Sequence, residues 1–212
     1  FPVSHCTACS SHVRPFDNIP IISYLKLGGK CRDCKESISV IYPIIEAITA
    51  LLLLAGFFKF GVTVDFLIYA VVAPTLVIIT AIDIEHQIIP DVITLPGIVL
   101  GLAAGSYTIG YIDSFSGCLL GGGLFYLLAV LSNGGMGGGD IKYIAAAGAL
   151  VGWQKVLLII FIGAFLGSFV GLFQMAVQKK SRKSLIPFGP FLAAATLITL
   201  FYGNLLIKLY IE

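Results

Sequence analysis

Two groups of residues in this chain have the types and spacing to do chemistry: a pair of acids, Asp83 and Asp140, and four cysteines, Cys6, Cys9, Cys31 and Cys34. Asp83 closes the apolar run Leu76-Val77-Ile78-Ile79-Thr80-Ala81-Ile82, and Asp140 follows Gly134-Gly135-Met136-Gly137-Gly138-Gly139. Carboxylates in apolar surroundings are expensive and are functional suspects by default. Two of them at one end of a bundle can run aspartic-protease chemistry. One, ionised, takes a proton from water, and the other, protonated, hydrogen-bonds the peptide carbonyl. Asp83 is expected at the negative end of a helix dipole and Asp140 at the positive end, which would make Asp83 the proton-bearing partner and Asp140 the base. Gly137, Gly138 and Gly139 are expected to form a mobile loop that admits substrate backbone, because glycine allows close approach. A phosphate-cradling loop is disfavoured, since no Gly-Lys-Ser or Gly-Lys-Thr follows. Asp91 reads as an ordinary helix N-cap before Val92-Ile93-Thr94-Leu95. Glu85 and His86 read as hydrated loop residues, and Glu46, about one turn inside the first span, has no assigned role.

The cysteines form two Cys-x-x-Cys pairs with 21 residues between Cys9 and Cys31. A two-residue spacer lets both sulfurs of a pair reach one metal ion from a single tight turn, and tetrahedral zinc accepts four thiolates. In a reducing compartment metal is favoured over disulfides or a redox pair. Four thiolates leave no open position, so the zinc is expected to be structural. His5 and His12 read as surface residues, and Cys118 as an ordinary buried cysteine.

The elements that must hold these groups follow from composition. Of 212 residues, 58% are hydrophobic and only 11% are charged, against roughly 25% charged in a soluble domain. Mean hydropathy is +1.01. The fold class expected is an all-α polytopic membrane protein with about seven transmembrane helices. A small zinc-binding module occupies residues 1–40 and a transmembrane domain residues 41–212. Spans of about 20 apolar residues fall near 41–60, 66–83, 91–112, 114–132, 140–153, 155–178 and 186–209, the fifth being short. No internal repeat is expected. A net charge of +2 gives no case for nucleic acid. Seven alternating spans gather ten of the thirteen Lys and Arg residues, including Lys179, Lys180, Arg182 and Lys183, on the side of the module. That side is then the cytoplasm, and Asp83 and Asp140 both belong to it. The start lacks a basic stretch followed by an apolar core, and it lacks Met, so residues upstream of Phe1 are expected.

Together these motifs resemble the bacterial type IV prepilin peptidases, membrane aspartyl proteases of the Gly-x-Gly-Asp type. Gly137-Gly138-Gly139-Asp140 fits that motif, and Asp83-Ile-Glu-His-Gln-Ile-Ile-Pro-Asp91 is similar to the family's first catalytic segment. The cysteine pairs, with Asn18-Ile-Pro-Ile-Ile-Ser-Tyr24 between them, match its cytoplasmic zinc module, and Pro187-Phe-Gly-Pro190 its last span. The resemblance implies Asp83 and Asp140 as the catalytic pair. It implies a basic leader cut from prepilins or pseudopilins of type IV pilus or type II secretion systems, at the cytoplasmic face of the inner membrane, with the lipid bilayer as the other partner. It also implies methylation of the new N-terminus with S-adenosylmethionine. Ile41, before Tyr42-Pro43, stands where the family often has Arg, which leaves Glu46 without an obvious partner. A proton- or ion-coupled transporter using the two acids is the alternative, but it leaves the cysteines unexplained.

Overall fold

The computed structural model describes residues 5–133, 135–178 and 187–211. The basic residues at 179–183 and Gly134 lie outside the described residues. The chain divides into two compact units, Phe1–Val62 and Thr63–Glu212.

In the first unit a 3₁₀ turn, Pro15–Asn18, and the short helix α1, Ile22–Lys26, lie between the two cysteine pairs, and α2, Ile41–Phe60, follows. Contrary to expectation, this unit repeats itself. The N–H of Ser10 bonds the carbonyl of Cys6 and that of Lys35 the carbonyl of Cys31. Cys6 N–H bonds Ser11 and Cys31 N–H bonds Glu36, and bridges close each turn at His5–His12 and Lys30–Ser37. Ser10 and Lys35 both take left-handed backbone, at φ +57° and +62°. The repeat lies in backbone geometry, because a knuckle turn demands two cysteines and one left-handed position and little else.

The second unit contains α3 (Val64–His86), α4 (Asp91–Thr108), α5 (Tyr111–Leu131), α6 (Gly138–Val151), α7 (Trp153–Gln178) and α8 (Gly189–Ile211). Every helix expected from hydropathy is present, with ends shifted by a few residues. The break expected at 113 falls at Ile109–Gly110, where glycine takes φ +93°. Among the described residues, six helices are long and apolar enough to cross a membrane, α2 among them. Such a chain is a multi-pass membrane protein, because backbone groups in hydrocarbon are satisfied only inside helices or closed barrels. The exception is α6. Its fourteen residues make roughly 21 Å at 1.5 Å per residue, short of the ~30 Å hydrocarbon core.

What α6 lacks in length it makes up in enclosure. Seven of its fourteen residues are buried, with α4, α5, α7 and α8 packed around it. Small residues let it be surrounded so closely. A side chain at Gly101 of α4 would strike the carbonyl of Ala146, and one at Gly117 of α5 would strike the backbone of Gly148. Lipid tails offer no hydrophobic contrast, so such close backbone packing is a main source of helix association in membranes. The buried Ser114 hydroxyl donates to the carbonyl of Ala149 at 2.6 Å, a further tie between α5 and α6. Leu76, Ile79, Ile144, Val156, Ile159 and Leu192 form the apolar core.

Candidate active site

Asp83 lies in the last turn of α3, which runs on to His86 and is closed by Gln87 in left-handed backbone. Glu85 and His86, expected in a loop, are exposed residues of that turn. Asp140 is the third residue of α6. The helix begins two residues earlier than expected, so Gly138 and Gly139 belong to its first turn and Gly137 is its N-cap. The ordinary capping explanation for Asp140 therefore does not apply. Since α4 and α5 carry the chain out and back, the end of α3 and the start of α6 share one end of the bundle.

The element that brings the acids together is α8, and the stripe that does so is Gly189, Leu192 and Thr196, at helical spacing i, i+3, i+7. The backbone N–H of Gly189 donates to Oδ2 of Asp83 at 2.8 Å. Further along, Tyr143 of α6 reaches the carbonyl of Leu192, one turn on, at 3.3 Å and shares a 2.7 Å hydrogen bond with the hydroxyl of Thr196, two turns on. Tyr143 is three residues after Asp140, on the same side of α6. One helix thus holds the acid of α3 directly and the acid of α6 through its neighbour one turn away. Asp83 is only 5% exposed, whereas Asp140 is half-buried.

The helix ends expected for the pair are those observed, but at Asp83 a second helix end offsets the expected contrast in dipoles. Asp83 does sit at the C-terminal end of its own helix, but its carboxylate meets the N-terminus of α8. Asp140 lies in the first turn of α6. Each acid therefore faces a helix N-terminus, which favours negative charge. Local sequence could not show this, because the donor to Asp83 lies 106 residues away.

The glycines act in different ways. A Cβ at Gly139 would lie 2.8 Å from the Ile89 carbonyl oxygen and 3.2 Å from its nitrogen, so the 87–90 connection rests directly on the first turn of α6. At Gly189 a Cβ would stand 2.7 Å from Oδ2 of Asp83. At Gly138 it would meet nothing. An apolar cleft of about 660 Å³ opens between α3 and α4, with Ile79 and Tyr143, one turn from each acid, in its lining.

Two other acids depart from expectation. Asp91 does not cap α4: Pro90 is the N-cap, Asp91 is the first helical residue, and no side chain caps this end. Instead both Asp91 oxygens bond Lys142 Nζ at 2.7 Å. Glu46, left without a partner by Ile41, accepts the backbone N–H of Ile21 at 2.8 Å. Ile21 has φ +62°, an unfavourable backbone for a β-branched residue, and Glu46 helps to hold it.

The four cysteine sulfurs all lie within 4.8 Å of one another. Cys6 and Cys34 are 3.8 Å apart, the sulfur–sulfur edge, about 3.8 Å, of a tetrahedron with zinc–sulfur bonds of about 2.3 Å. The cluster can hold a metal ion, and the donor set suits structural zinc. Its electrostatics explain why. The Ser11 hydroxyl and backbone bring the Cys9 thiol down to about 6. Cys34, although a backbone hydrogen bond from Glu36 lowers it, is pushed up to about 12 by desolvation and by the neighbouring thiols. Four thiolates cannot share that space without a cation. Arg32 grips both oxygens of Asp17 at 2.6 Å and holds its carboxyl below the usual range, which ties the second knuckle to the 3₁₀ turn. Cys118, expected to be buried, is half-buried.

Comparison with known proteins gives the family. Residues 1–60 match the bacterial peptidase A24 N-terminal domain and residues 70–172 the type IV leader peptidase family. Over 220 residues the chain is 36% identical to a prepilin leader peptidase/N-methyltransferase of Pseudomonas aeruginosa, covering 100% of this chain and 75% of that protein. The chain belongs to the type IV leader peptidase family. A Pseudomonas putida leader peptidase of the same description is 35% identical over 96% of this chain and 73% of its own length. One from Bacillus subtilis is 31% identical over 100% and 86%. No solved structure matches. Membership in a peptidase family favours proteolysis over the transporter reading. The residues of α8 that join the acids, Gly189, Leu192 and Thr196, and their partner Tyr143, had no separate signal in the chain beyond the Pro187-Phe-Gly-Pro190 motif.

Proposed function

We propose that this membrane peptidase removes the leader peptide from prepilins and pseudopilins, with Asp83 and Asp140 as its catalytic pair. The observation that carries the reading is the α8 stripe, whose Gly189 N–H holds the Asp83 carboxylate and whose Leu192 and Thr196 hold Tyr143, one turn from Asp140. Two neighbouring carboxylates share a proton, because both cannot ionise at close range. With one oxygen of Asp83 held by Gly189, the other is left for that proton. Water activated by the ionised group then attacks the scissile carbonyl, polarised by the protonated one. Gly138, where a side chain would meet nothing, leaves room for the substrate backbone beside Asp140. The adjoining apolar cleft suits a substrate that is itself embedded in the bilayer.

The positive charge of the cysteine module and the shared end of the acids support a cytoplasmic site in the bacterial inner membrane. Zinc on Cys6, Cys9, Cys31 and Cys34 would fix the module and take no part in the cut. The relatives' names include N-methyltransferase activity, for which S-adenosylmethionine is the expected donor. The cavity of about 100 Å³ beside Glu46 is far below the roughly 300 Å³ minimum of a ligand pocket. It does not fit that molecule whole, and the larger cleft between α3 and α4 is lined by no charged side chain, so kinship is what supports methyl transfer. The deciding experiment is cleavage of a prepilin by the purified protein in detergent. Asp83→Asn and Asp140→Asn should each abolish it, and full activity in either variant would overturn the pair.

A further inference from the structure

We propose that Asp91 and Lys142 are positioning residues for Asp140, an ionic tie that sets the rotation of the first turn of α6. The kinetic side of this inference rests on the leader-peptidase reading, and the structural side does not.

The pair is exposed, with side chains 57% and 37% accessible. Ion pairs of that kind contribute only about 0–1 kcal/mol to stability, so stability does not explain it. Helix preference does not explain it either. Lys142 is the fifth residue of α6, near an N-terminus that disfavours cations. Its placement makes sense through its partner, since Asp91 opens α4 and sits 51 residues away in sequence.

Around the tie, Met136 and Ile141 pack against the core, but the first turn of α6 carries no side-chain cap. Its N-cap, Gly137, has no side chain to satisfy the free N–H groups of the first turn, and uncapped first turns are the weak part of a helix. Two contacts with residues 89–91 supply the restraint. The buried Ile89 fills the space beside Gly139, and Asp91 grips Lys142. Asp140 lies between Gly139 and Lys142. Side chains two residues apart on a helix point about 200° apart. A tie pulling Lys142 towards α4 therefore turns Asp140 to the opposite side of the helix and resists its rotation.

The test uses the full chain, purified in detergent, with Asp91→Ala, Lys142→Ala and the exchanged double variant Asp91→Lys/Lys142→Asp. Each single variant should lower kcat about tenfold, as expected for a small misplacement of a reacting group, with KM and the thermal midpoint little changed. Amide exchange over residues 138–141 should speed up in the single variants. The exchanged pair should restore both readouts most of the way. Wild-type amide exchange in both single variants overturns the inference, and so does a loss of kcat that the exchanged pair does not recover. If the wild-type protein cleaves no prepilin, the leader-peptidase reading fails, while the exchange rates still decide whether the tie holds the turn.

Discussion

In the first unit, four sulfurs converge because two knuckle turns, each closed within a few residues, aim their cysteines at one point. In the second, Asp83 and Asp140 are brought to one place by α8, which holds both of the helices that carry them, and by the 87–90 connection packed on the first turn of α6. The cysteine site is local, and its missing ingredient is a cation. The acid site is non-local, and its ingredients are a glycine N–H, a tyrosine and a threonine from distant parts of the chain. A site of the first kind should fail when its metal is removed. One of the second kind should fail when a packing residue far away in sequence changes shape.

The largest expected effect is on the metal side. Structural zinc contributes on the order of 10 kcal/mol to the folding of small modules. A strong chelator should unfold the cysteine turns while the apolar helices keep their circular dichroism. Helices that melt with the cysteine turns would show that the two regions are not independent in this way.

Next come the acids themselves. Asp83→Asn and Asp140→Asn should each lower kcat on a prepilin on the order of 10³-fold or more, and the double variant should be little worse, because groups that act as a unit are strongly non-additive. Additive losses would mean that the two do not share one step.

Gly189→Ala probes the non-local character directly. The new methyl must displace the Asp83 carboxylate, from which it would stand 2.7 Å, or push α8 away. A loss of about 10²-fold in kcat is expected for a shift of about 1 Å. Gly138→Ala, whose Cβ meets nothing, is the control. Equal effects in the two would argue against α8 as the organiser.

The smallest effect concerns Asp17. Arg32 holds its folded-state carboxyl below the ordinary aspartate value, so the contribution of this pair is complete above about pH 4 and is lost as pH falls through the lower folded value. Carboxyl carbon NMR should find the Asp17 midpoint below that of a free aspartate, and Arg32→Met should return it to the ordinary range.

Much of this protein was legible before any coordinates. Cys-x-x-Cys twice is enough for a four-thiolate site, because a two-residue spacer solves the geometry within one turn. Apolar runs are enough for helices in a membrane, because no other open structure satisfies the backbone there. The same arguments located the two acids worth attention, since a carboxylate beside an apolar run needs a reason.

The tertiary structure decided what each acid meets. Helix-end reasoning gave Asp83 the negative end of a dipole, whereas packing supplied the N-terminus of α8 as well. Capping rules made Asp91 a cap, whereas Lys142 made it a tie. The reason is range. Capping and dipole rules describe neighbours within a turn, and the partners of both acids lie 51 and 106 residues away, brought near only when small residues let the helices close on one another.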